Sequence, residues 1–387
     1  MEAEKKYCAA PWRGLHLNFD GFVKTCCAGA PRVLQPLEGE ENYTSDTTIE
    51  AILEGPGLAE VRASIKKGIL HPRYCANCIK SEDAGFNSER DWHNNLSPDF
   101  NYETTNIYEH VPRLIDVRWN NTCNLACNYC DSHFSTKWAS IIGAKVNQTI
   151  KTEYKHIIDY IEKHSMHVKE VAMVGGEPLM MKENDALLDI LPDDVLVTVI
   201  TNMTNDFDKM PVPQKLLNRS RVGWSMSFDN IGERFEYVRW GSTWKRLDEN
   251  VTRVANKINN SNHHGGIQAV YNLYNCTRLC ELKQYSLDKK ITILWQHIHG
   301  DQLDPTKHNQ AVRELALAEI QKFRDTFDII EAEETWLENL EELLLQGNGN
   351  LDKEFKDMLC NVEDTWHPDQ KGKFVKLWPE LVQPLGL

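Results

Sequence analysis

The 387-residue sequence predicts an α/β fold, because strand and helix patterns alternate along its middle region. Between residues 113 and 300, short apolar runs typical of buried strands end in polar turns and are followed by amphipathic segments typical of helices. Strand-then-helix repetition favours a parallel sheet, either open or closed into a barrel. The flanking regions differ, since residues 1–100 are rich in Cys, Gly, Pro and Asn, and residues 309–387 have mostly helical periodicity.

The individual elements begin with a predicted hairpin, in which two apolar runs flank Asp20-Gly21, a pair typical of tight turns. Residues 48–67 predict one or two helices, and residues 79–107 are polar and predict a connector. The predicted strands are residues 114–119, 170–174, 195–200, 222–228, 266–271 and 292–298. The predicted helices are residues 152–164, 186–191, 245–259, 310–327, 334–345 and 353–360. Together these patterns predict three domains, at residues 1–100, 108–305 and 306–387.

The composition predicts a globular, cytoplasmic protein. Hydrophobic residues make up 41% of the chain, which is enough to form a core. No stretch reaches the roughly 18 consecutive apolar residues of a membrane span, and the N-terminus lacks the apolar core of a signal peptide. A net charge of −14 disfavours binding to phosphate backbones. We therefore expect neither a membrane nor a nucleic acid as a partner.

The 11 cysteines fall mostly into groups. The grouped positions are Cys8, Cys26, Cys27, Cys75, Cys78, Cys123, Cys127 and Cys130, whereas Cys276, Cys280 and Cys360 lie apart. A chain of this length does not need disulfide bonds to fold. Short cysteine spacings in an intracellular protein therefore favour metal binding or redox chemistry.

The clearest motif is the C-x3-C-x2-C sequence of Cys123, Cys127 and Cys130, directly after the predicted strand at residues 114–119. It resembles the cluster loop of the radical S-adenosylmethionine (SAM) superfamily, which has this spacing and an aromatic residue, here Tyr129, before the last cysteine. The resemblance implies a partial (β/α)6 barrel with a [4Fe–4S] cluster at the carboxyl ends of its strands. Three cysteines bind three irons, so that the fourth iron stays open to SAM.

Further positions match those that bind SAM in the superfamily. Gly175-Gly176-Glu177-Pro178, after the next predicted strand, is similar to the motif that binds the methionine amino group of SAM. The ends of the following strands carry polar residues where the family contacts the ribose and carboxylate of SAM, namely Thr201, Asn202, Ser227 and Asp229. Barrel-like parallel sheets place their chemistry at the carboxyl ends of strands, which agrees with these positions. Asp229 is equally consistent with an ordinary turn residue.

The cysteines of the first 100 residues resemble a second module. Cys8, Cys26, Cys75 and Cys78, together with the Asp20-Gly21 hairpin, resemble the twitch domain, a shortened SPASM domain that binds one auxiliary [4Fe–4S] cluster. The resemblance implies these four cysteines as the cluster ligands. In most relatives this module follows the radical SAM core, whereas here it precedes the core.

Zinc is the alternative metal at both cysteine groups. Four thiols on a hairpin and a C-x2-C pair also form structural zinc sites, and His133 could complete a site on the Cys123 loop. Cys27 would be a spare thiol or would take the place of Cys26. The Gly175-Gly176-Glu177-Pro178 motif has no role in a zinc module, which favours the cluster.

The resemblance implies an enzyme that reductively cleaves SAM to a 5′-deoxyadenosyl radical, which abstracts hydrogen from a substrate. Twitch and SPASM relatives favour a peptide or protein substrate, and oxidation of a small molecule is the second possibility. A non-enzymatic zinc-binding interaction protein is the alternative from another class. An electron donor of the flavodoxin or ferredoxin type is the expected partner.

Overall fold

The computed structural model describes residues 5–18, 23–30, 49–83, 88–144, 154–298 and 301–387. The chain divides into two compact units. Unit 1 contains residues 1–122, 147–200 and 208–223. Unit 2 contains residues 123–146, 201–207 and 224–387. Both units are therefore assembled from segments that are distant in the sequence.

Strands and helices alternate through most of the chain. The strands are β1 (Gly14–Leu17), β2 (Val23–Lys24), β3 (Leu114–Val117), β4 (Ala126–Cys127), β5 (Glu170–Met173), β6 (Leu196–Thr201), β7 (Val222–Ser227), β8 (Arg239–Trp240), β9 (His264–Tyr271) and β10 (Thr292–His297). The helices up to residue 218 are α1 (Ala10–Arg13), α2 (Ile49–Leu53), α3 (Pro56–Lys66), α4 (Ala76–Asp83), α5 (Glu89–Asn95), α6 (Thr136–Ile142), α7 (Tyr154–His164), α8 (Lys182–Ile190) and α9 (Pro211–Asn218). The remaining helices are α10 (Gly232–Val238), α11 (Trp244–Asn260), α12 (Leu279–Lys289), α13 (Gln310–Thr326), α14 (Glu331–Gln346), α15 (Asp352–Cys360), α16 (Phe374–Leu377) and α17 (Pro379–Leu385).

The sheet is mainly parallel, which confirms the predicted α/β class. In unit 1 the strand order is β6-β5-β3-β1-β2, with parallel pairing from β6 to β1 and an antiparallel β1–β2 edge. In unit 2, β9 and β10 pair in parallel, β7 neighbours β9, and β4 and β8 form a small antiparallel pair. Strands β3 and β5 are buried along their whole length, as is typical of parallel strands that are covered on both faces.

The N-terminal segment contributes to this sheet, which local sequence patterns did not indicate. The predicted hairpin pairs as β1 and β2, and the Asp20-Gly21 turn lies outside the described residues. Strand β1 then pairs in parallel with β3, about a hundred residues further along the chain. The three-domain division of the sequence stays a prediction.

A buried polar pair joins β1 to β3. His16 and Asp116 are direct partners in the register, and Nδ1 of His16 lies 2.9 Å from Oδ2 of Asp116. Burial lowers the pKa of His16, and the neighbouring Asp116 carboxylate opposes that shift. The pair thus lets two polar residues occupy buried strand positions.

One prediction from the sequence is wrong in the first region. Residues 79–107 were expected to be a connector, but they hold the end of α4 and all of α5. Helix α5 begins with a capping box, in which Ser88 accepts from a backbone N–H of the first turn and Asp91 accepts from the Ser88 backbone N–H. The S-x-x-D spacing at Ser88 is the signal that could have indicated this helix.

Among the described residues, no helix combines the length and apolar character needed to cross a membrane.

Candidate functional site

The three cysteines of the C-x3-C-x2-C motif lie on one loop in unit 2. Cys127 is buried in the short strand β4, whereas Cys123 and Cys130 are half-buried on either side of it. The backbone N–H of Cys123 donates to Oγ1 of Thr136 at 3.1 Å. The N–H of Cys130 donates to the Cys127 carbonyl at 3.0 Å, which closes a tight turn around Tyr129. The loop therefore presents three thiols from a hydrogen-bonded backbone.

Helix α6 holds this loop in place. Ser135 is the N-cap of the helix, and its hydroxyl also donates to the Leu125 carbonyl at 2.6 Å. Nε1 of the buried Trp138 donates to the Cys127 carbonyl at 2.9 Å. Sequence reasoning missed both residues, although a serine five residues after Cys130 has the form of an N-cap.

Burial keeps the thiols of Cys127 and Cys130 neutral. It raises the pKa of Cys127 and of Cys130 to about 12. Thiols with such pKa values are protonated at neutral pH, whereas metal-bound cysteines are thiolates. Iron binding to this loop would therefore release protons, so that loading becomes more favourable as the pH rises.

The Gly175-Gly176-Glu177-Pro178 turn packs in unit 1 against the backbone that leads into the cysteine loop. Gly175 has a φ of +124°, a conformation that L side chains rarely adopt. The Glu177 N–H donates to the Thr122 carbonyl at 2.7 Å. The Glu177 side chain is fully buried and accepts from the Leu179 N–H at 3.0 Å. Pro178 begins a short 3-10 turn, for which its fixed φ is suited.

Replacing Gly176 with Ala is expected to disturb this turn. A methyl group would lie 2.7 Å from the carbonyl carbon and oxygen of Asn121, so the backbone before the cysteine loop must shift. We expect a stability loss of about 1–3 kcal/mol and at least a roughly tenfold weaker binding of SAM. Chemical denaturation and a SAM-binding titration measure the two effects.

Gly143→Ala is the matched control for this substitution. Gly143 ends α6 with a φ of +67°, and a methyl group there meets nothing within 4 Å. It should cost about 1 kcal/mol of stability from backbone strain alone and leave SAM binding intact. Equal SAM affinity in both variants would contradict a role of the Gly176 contact in the site.

Thr201 is the last residue of β6, and Asn202 follows it and lies beside the cysteine loop in unit 2. Nδ2 of Asn202 donates to Oδ1 of Asn124 at 3.0 Å and lies 3.9 Å from the Cys123 sulfur. Its Oδ1 accepts from Oγ1 of Thr204 at 2.7 Å. Thr201 is buried, and its hydroxyl accepts from the Met203 N–H at 3.1 Å. The structure thus brings Asn202 next to a predicted iron ligand.

Ser227 and Asp229 lie at the end of β7, and their environments differ. Ser227 is half-buried at the last position of the strand. The Asp229 side chain is fully buried, and its Oδ1 accepts from the Val270 N–H at 2.8 Å. Its Oδ2 accepts from the Tyr129 hydroxyl at 2.5 Å and from Nη2 of Arg239 at 3.1 Å. Both carboxylate oxygens are therefore bound within unit 2.

Arg239 is the main residue of this site that sequence reasoning missed. It pairs directly with Cys127 in the β4–β8 register, and its guanidinium carbon lies 5.3 Å from the centre of the Tyr129 ring. The side chain is buried beside Asp229. No local pattern indicates this position, because the pairing joins residues more than a hundred positions apart.

The four N-terminal cysteines line one cavity in unit 1. The accessible lining of this cavity is almost entirely apolar. The lining includes Cys8, Cys26, Cys75 and Cys78, together with Arg90 and His93 of α5. The spacing of the sequence predicted this set of thiols, and the fold brings them together from three separate segments.

Hydrogen bonds join the Cys26 segment to the Cys75 segment and attach the Cys8 segment to α5. The hydroxyl of the buried Tyr74 accepts from the Thr25 N–H at 2.9 Å, which joins the neighbours of Cys75 and Cys26. The Ala30 N–H donates to the Tyr74 carbonyl at 3.1 Å. The Ala9 N–H donates to Oδ1 of Asn94 at 2.9 Å, which attaches the Cys8 segment to the end of α5. The cavity is thus defined by backbone contacts on every cysteine-bearing segment.

Cys26 and Cys27 have different surroundings. Cys26 lines the cavity, and burial raises its pKa well above the usual range, with the other three thiols contributing in the same direction. Burial raises the pKa of Cys27 to about 12, and the carboxylates of Glu89 and Asp116 add to that shift. Because Cys26 is among the residues that line the cavity and Cys27 is not, Cys26 is the better candidate ligand of the two.

Within the described ranges, no three His, Cys, Asp or Glu side chains form a group that could hold one metal ion. His133, the candidate fourth zinc ligand, is exposed, and its ring lies edge-on to Phe134. The donor sets themselves fit iron–sulfur clusters, since one is three thiols on a loop and the other is four thiols around an apolar cavity.

Comparisons with known proteins find similarity in the central segment of the chain. Residues 117–268 match the family model of the Radical SAM superfamily. Over 77 residues the chain is 43% identical to 7-carboxy-7-deazaguanine synthase from Clostridium acetobutylicum, an alignment that covers 20% of this chain and 31% of that protein. The chain thus matches about a third of the length of this curated relative. The match to the family model supports the radical SAM superfamily for the segment that holds the cysteine loop.

Solved structures that are similar to part of this chain include those of anSMEcpe and SuiB. The structure of anSMEcpe with bound AdoMet is 16% identical, covers 54% of this chain and 59% of its own, and has a TM-score of 0.39. The structure of SuiB from Streptococcus suis bound to the precursor peptide SuiA is 13% identical, covers 69% of this chain and 63% of its own, and also has a TM-score of 0.39.

Proposed function

We propose that the protein is an enzyme that reductively cleaves SAM at a [4Fe–4S] cluster held by Cys123, Cys127 and Cys130. The observation that carries the proposal is the hydrogen-bonded three-thiol loop inside the segment that matches the radical SAM family model. When bound, such a cluster supplies the electron that splits SAM into methionine and a 5′-deoxyadenosyl radical, which takes a hydrogen atom from the substrate.

The chain's own residues would bind and orient SAM. The backbone of Gly175 and Gly176 and the buried Glu177 before Pro178 suit the ammonium group of the methionine part. Asn202 lies beside Cys123, and it and Thr201 would contact the rest of the cofactor. Ser227 would contact the ribose or the carboxylate. Because its carboxylate oxygens already accept three hydrogen bonds, Asp229 would act by positioning Tyr129 and Arg239.

The N-terminal cavity is proposed to hold an auxiliary [4Fe–4S] cluster on Cys8, Cys26, Cys75 and Cys78. An apolar cavity lined by four thiols supports this assignment. Four cysteine ligands would leave no open iron, so that this cluster would transfer electrons rather than bind substrate. Structural zinc at the same thiols is the competing assignment, and metal analysis separates the two.

We propose a peptide or protein as the substrate class, as the twitch-like cysteine pattern implies. A small-molecule substrate is the second candidate, because the curated relative is named as a synthase of 7-carboxy-7-deazaguanine. A flavodoxin or ferredoxin would supply the electron in the cell.

The test is anaerobic purification, counting of iron and sulfide, and reaction with dithionite and SAM. We expect a brown protein with about eight irons per chain and 5′-deoxyadenosine as a product. Deuterium in the 5′-deoxyadenosine, after addition of peptides from cells grown on deuterated amino acids, would support the peptide assignment. A colourless zinc protein that does not cleave SAM would overturn the proposed function and leave a metal-binding interaction protein.

A further inference from the structure

Arg239 lies directly opposite the cysteine loop, on the neighbouring strand. Strand β8 pairs antiparallel with β4, and Arg239 is the direct register partner of Cys127. Side chains of directly opposed residues lie on the same face of such a pair, with their Cβ atoms about 5 Å apart. Arg239 therefore extends from a backbone position next to a predicted iron ligand.

Two neighbours hold the guanidinium group of Arg239 in this position. Nη2 donates to Oδ2 of Asp229 at 3.1 Å, and the Tyr129 hydroxyl donates to the same oxygen. The guanidinium carbon also lies over the face of the Tyr129 ring, which favours a cation. Since Tyr129 lies between Cys127 and Cys130 in the sequence, the charge is held within the loop itself.

One donor of this guanidinium finds no acceptor within the part of the chain that the structure describes. Nε of Arg239 is buried and lacks a hydrogen-bond partner among the described residues. A buried donor without a partner costs about 1–3 kcal/mol. Native proteins seldom leave one unless a water, an ion or a ligand supplies the acceptor. An anionic group near Cys127, the register partner of Arg239, would supply such an acceptor.

We propose that Arg239 donates its Nε–H to a sulfur of the cluster at Cys127, and that it thereby raises the reduction potential of that cluster. The proposal rests on the proposed function. Reduction adds one electron to an anionic cluster, and hydrogen bonds to its sulfurs together with nearby positive charge favour the reduced state. Asp229 moderates this effect, because its negative charge lies beside the guanidinium. Arg239 is a positioning and tuning residue of the cluster.

The test uses two variants with opposite expected effects. Asp229→Asn removes the opposing charge and should raise the midpoint potential. The double variant Asp229→Asn with Arg239→Met removes the charge and the donor together without leaving a buried carboxylate unpaired, and should lower the potential below that of the wild type. We expect each shift to change the ratio of reduced to oxidised cluster at a fixed potential by about tenfold, which is about 59 mV for one electron.

The measurement is a redox titration followed by electron paramagnetic resonance on the protein without SAM. The cluster of interest is identified by the change in its signal when SAM is added afterwards. Arg239→Lys keeps the charge and should give a potential between those of the wild type and the double variant. The matched control is Lys283→Met with Glu333→Gln, which neutralises an ion pair 2.6 Å apart on α12 and α14, formed by a half-buried lysine and a buried glutamate, and should leave the potential unchanged.

Three results would overturn the inference while leaving the proposed function in place. The first is a ratio of reduced to oxidised cluster, at a fixed potential and full iron content, that stays within twofold of the wild-type ratio in both test variants. The second is a shift of both variants in the same direction. The third is a shift only in the presence of SAM, which would assign the missing acceptor to the carboxylate of SAM. Failure of the proposed function is distinguishable, since the wild-type protein itself would then form no 5′-deoxyadenosine.

Discussion

Replacing Cys123, Cys127 and Cys130 together with Ala is expected to abolish 5′-deoxyadenosine formation and to remove about four irons per chain. All three thiols lie on one hydrogen-bonded loop, so no other described cysteine is positioned to replace them. The backbone contacts of the loop do not involve the thiols, which is why we expect the fold to persist. Iron analysis and chromatography of the reaction products measure the two losses.

Cys360→Ala is the matched control, because Cys360 is an exposed cysteine at the end of α15. It should keep full iron content and full SAM cleavage. Residual 5′-deoxyadenosine from the triple variant at more than about a thousandth of the wild-type rate would show that the catalytic cluster is held elsewhere. Loss of all iron would instead show that the variant is misfolded, which circular dichroism would reveal.

The double variant Cys75→Ser with Cys78→Ser is expected to lose about four irons and to keep the formation of 5′-deoxyadenosine from SAM. Both residues line the N-terminal cavity, at the start of α4, and serine keeps their size and a polar group. The cysteine loop belongs to the other unit, and its contacts do not depend on these side chains. The variant thus separates an auxiliary cluster from the cluster that cleaves SAM.

Cys27→Ala tests the choice between neighbouring thiols. The structure places Cys26 in the cavity lining and Cys27 near Glu89 and Asp116, so this variant should keep about eight irons per chain. A loss of four irons from Cys27→Ala, with no loss from Cys26→Ala, would reverse the assignment. If the wild type contains one zinc per chain and the Cys75→Ser/Cys78→Ser variant contains none, the N-terminal cavity holds a structural zinc ion and not an auxiliary cluster.

The candidate site was predicted from the sequence as far as its motifs are local. Two motifs are continuous in the sequence, namely the C-x3-C-x2-C motif of Cys123, Cys127 and Cys130 and the Gly175-Gly176-Glu177-Pro178 turn. Their residues can therefore be identified without knowledge of the fold. The contacts that hold these stretches come from elsewhere. Trp138 binds the Cys127 carbonyl, and the backbone of Asn121 and Thr122 leaves no space for a side chain at Gly176.

The sequence by itself determined the class of fold and the number of cysteine groups, because both follow from local periodicity and spacing. Apolar runs of strand length that alternate with amphipathic segments can bury their surfaces only in a layered α/β arrangement. The tertiary structure alone decided three further features: the parallel pairing of β1 with β3, the position of Cys26 rather than Cys27 in the cavity, and the place of Arg239 opposite Cys127. Each of these joins segments that are far apart in the chain, and such pairings depend on the packing of the whole core rather than on any local preference.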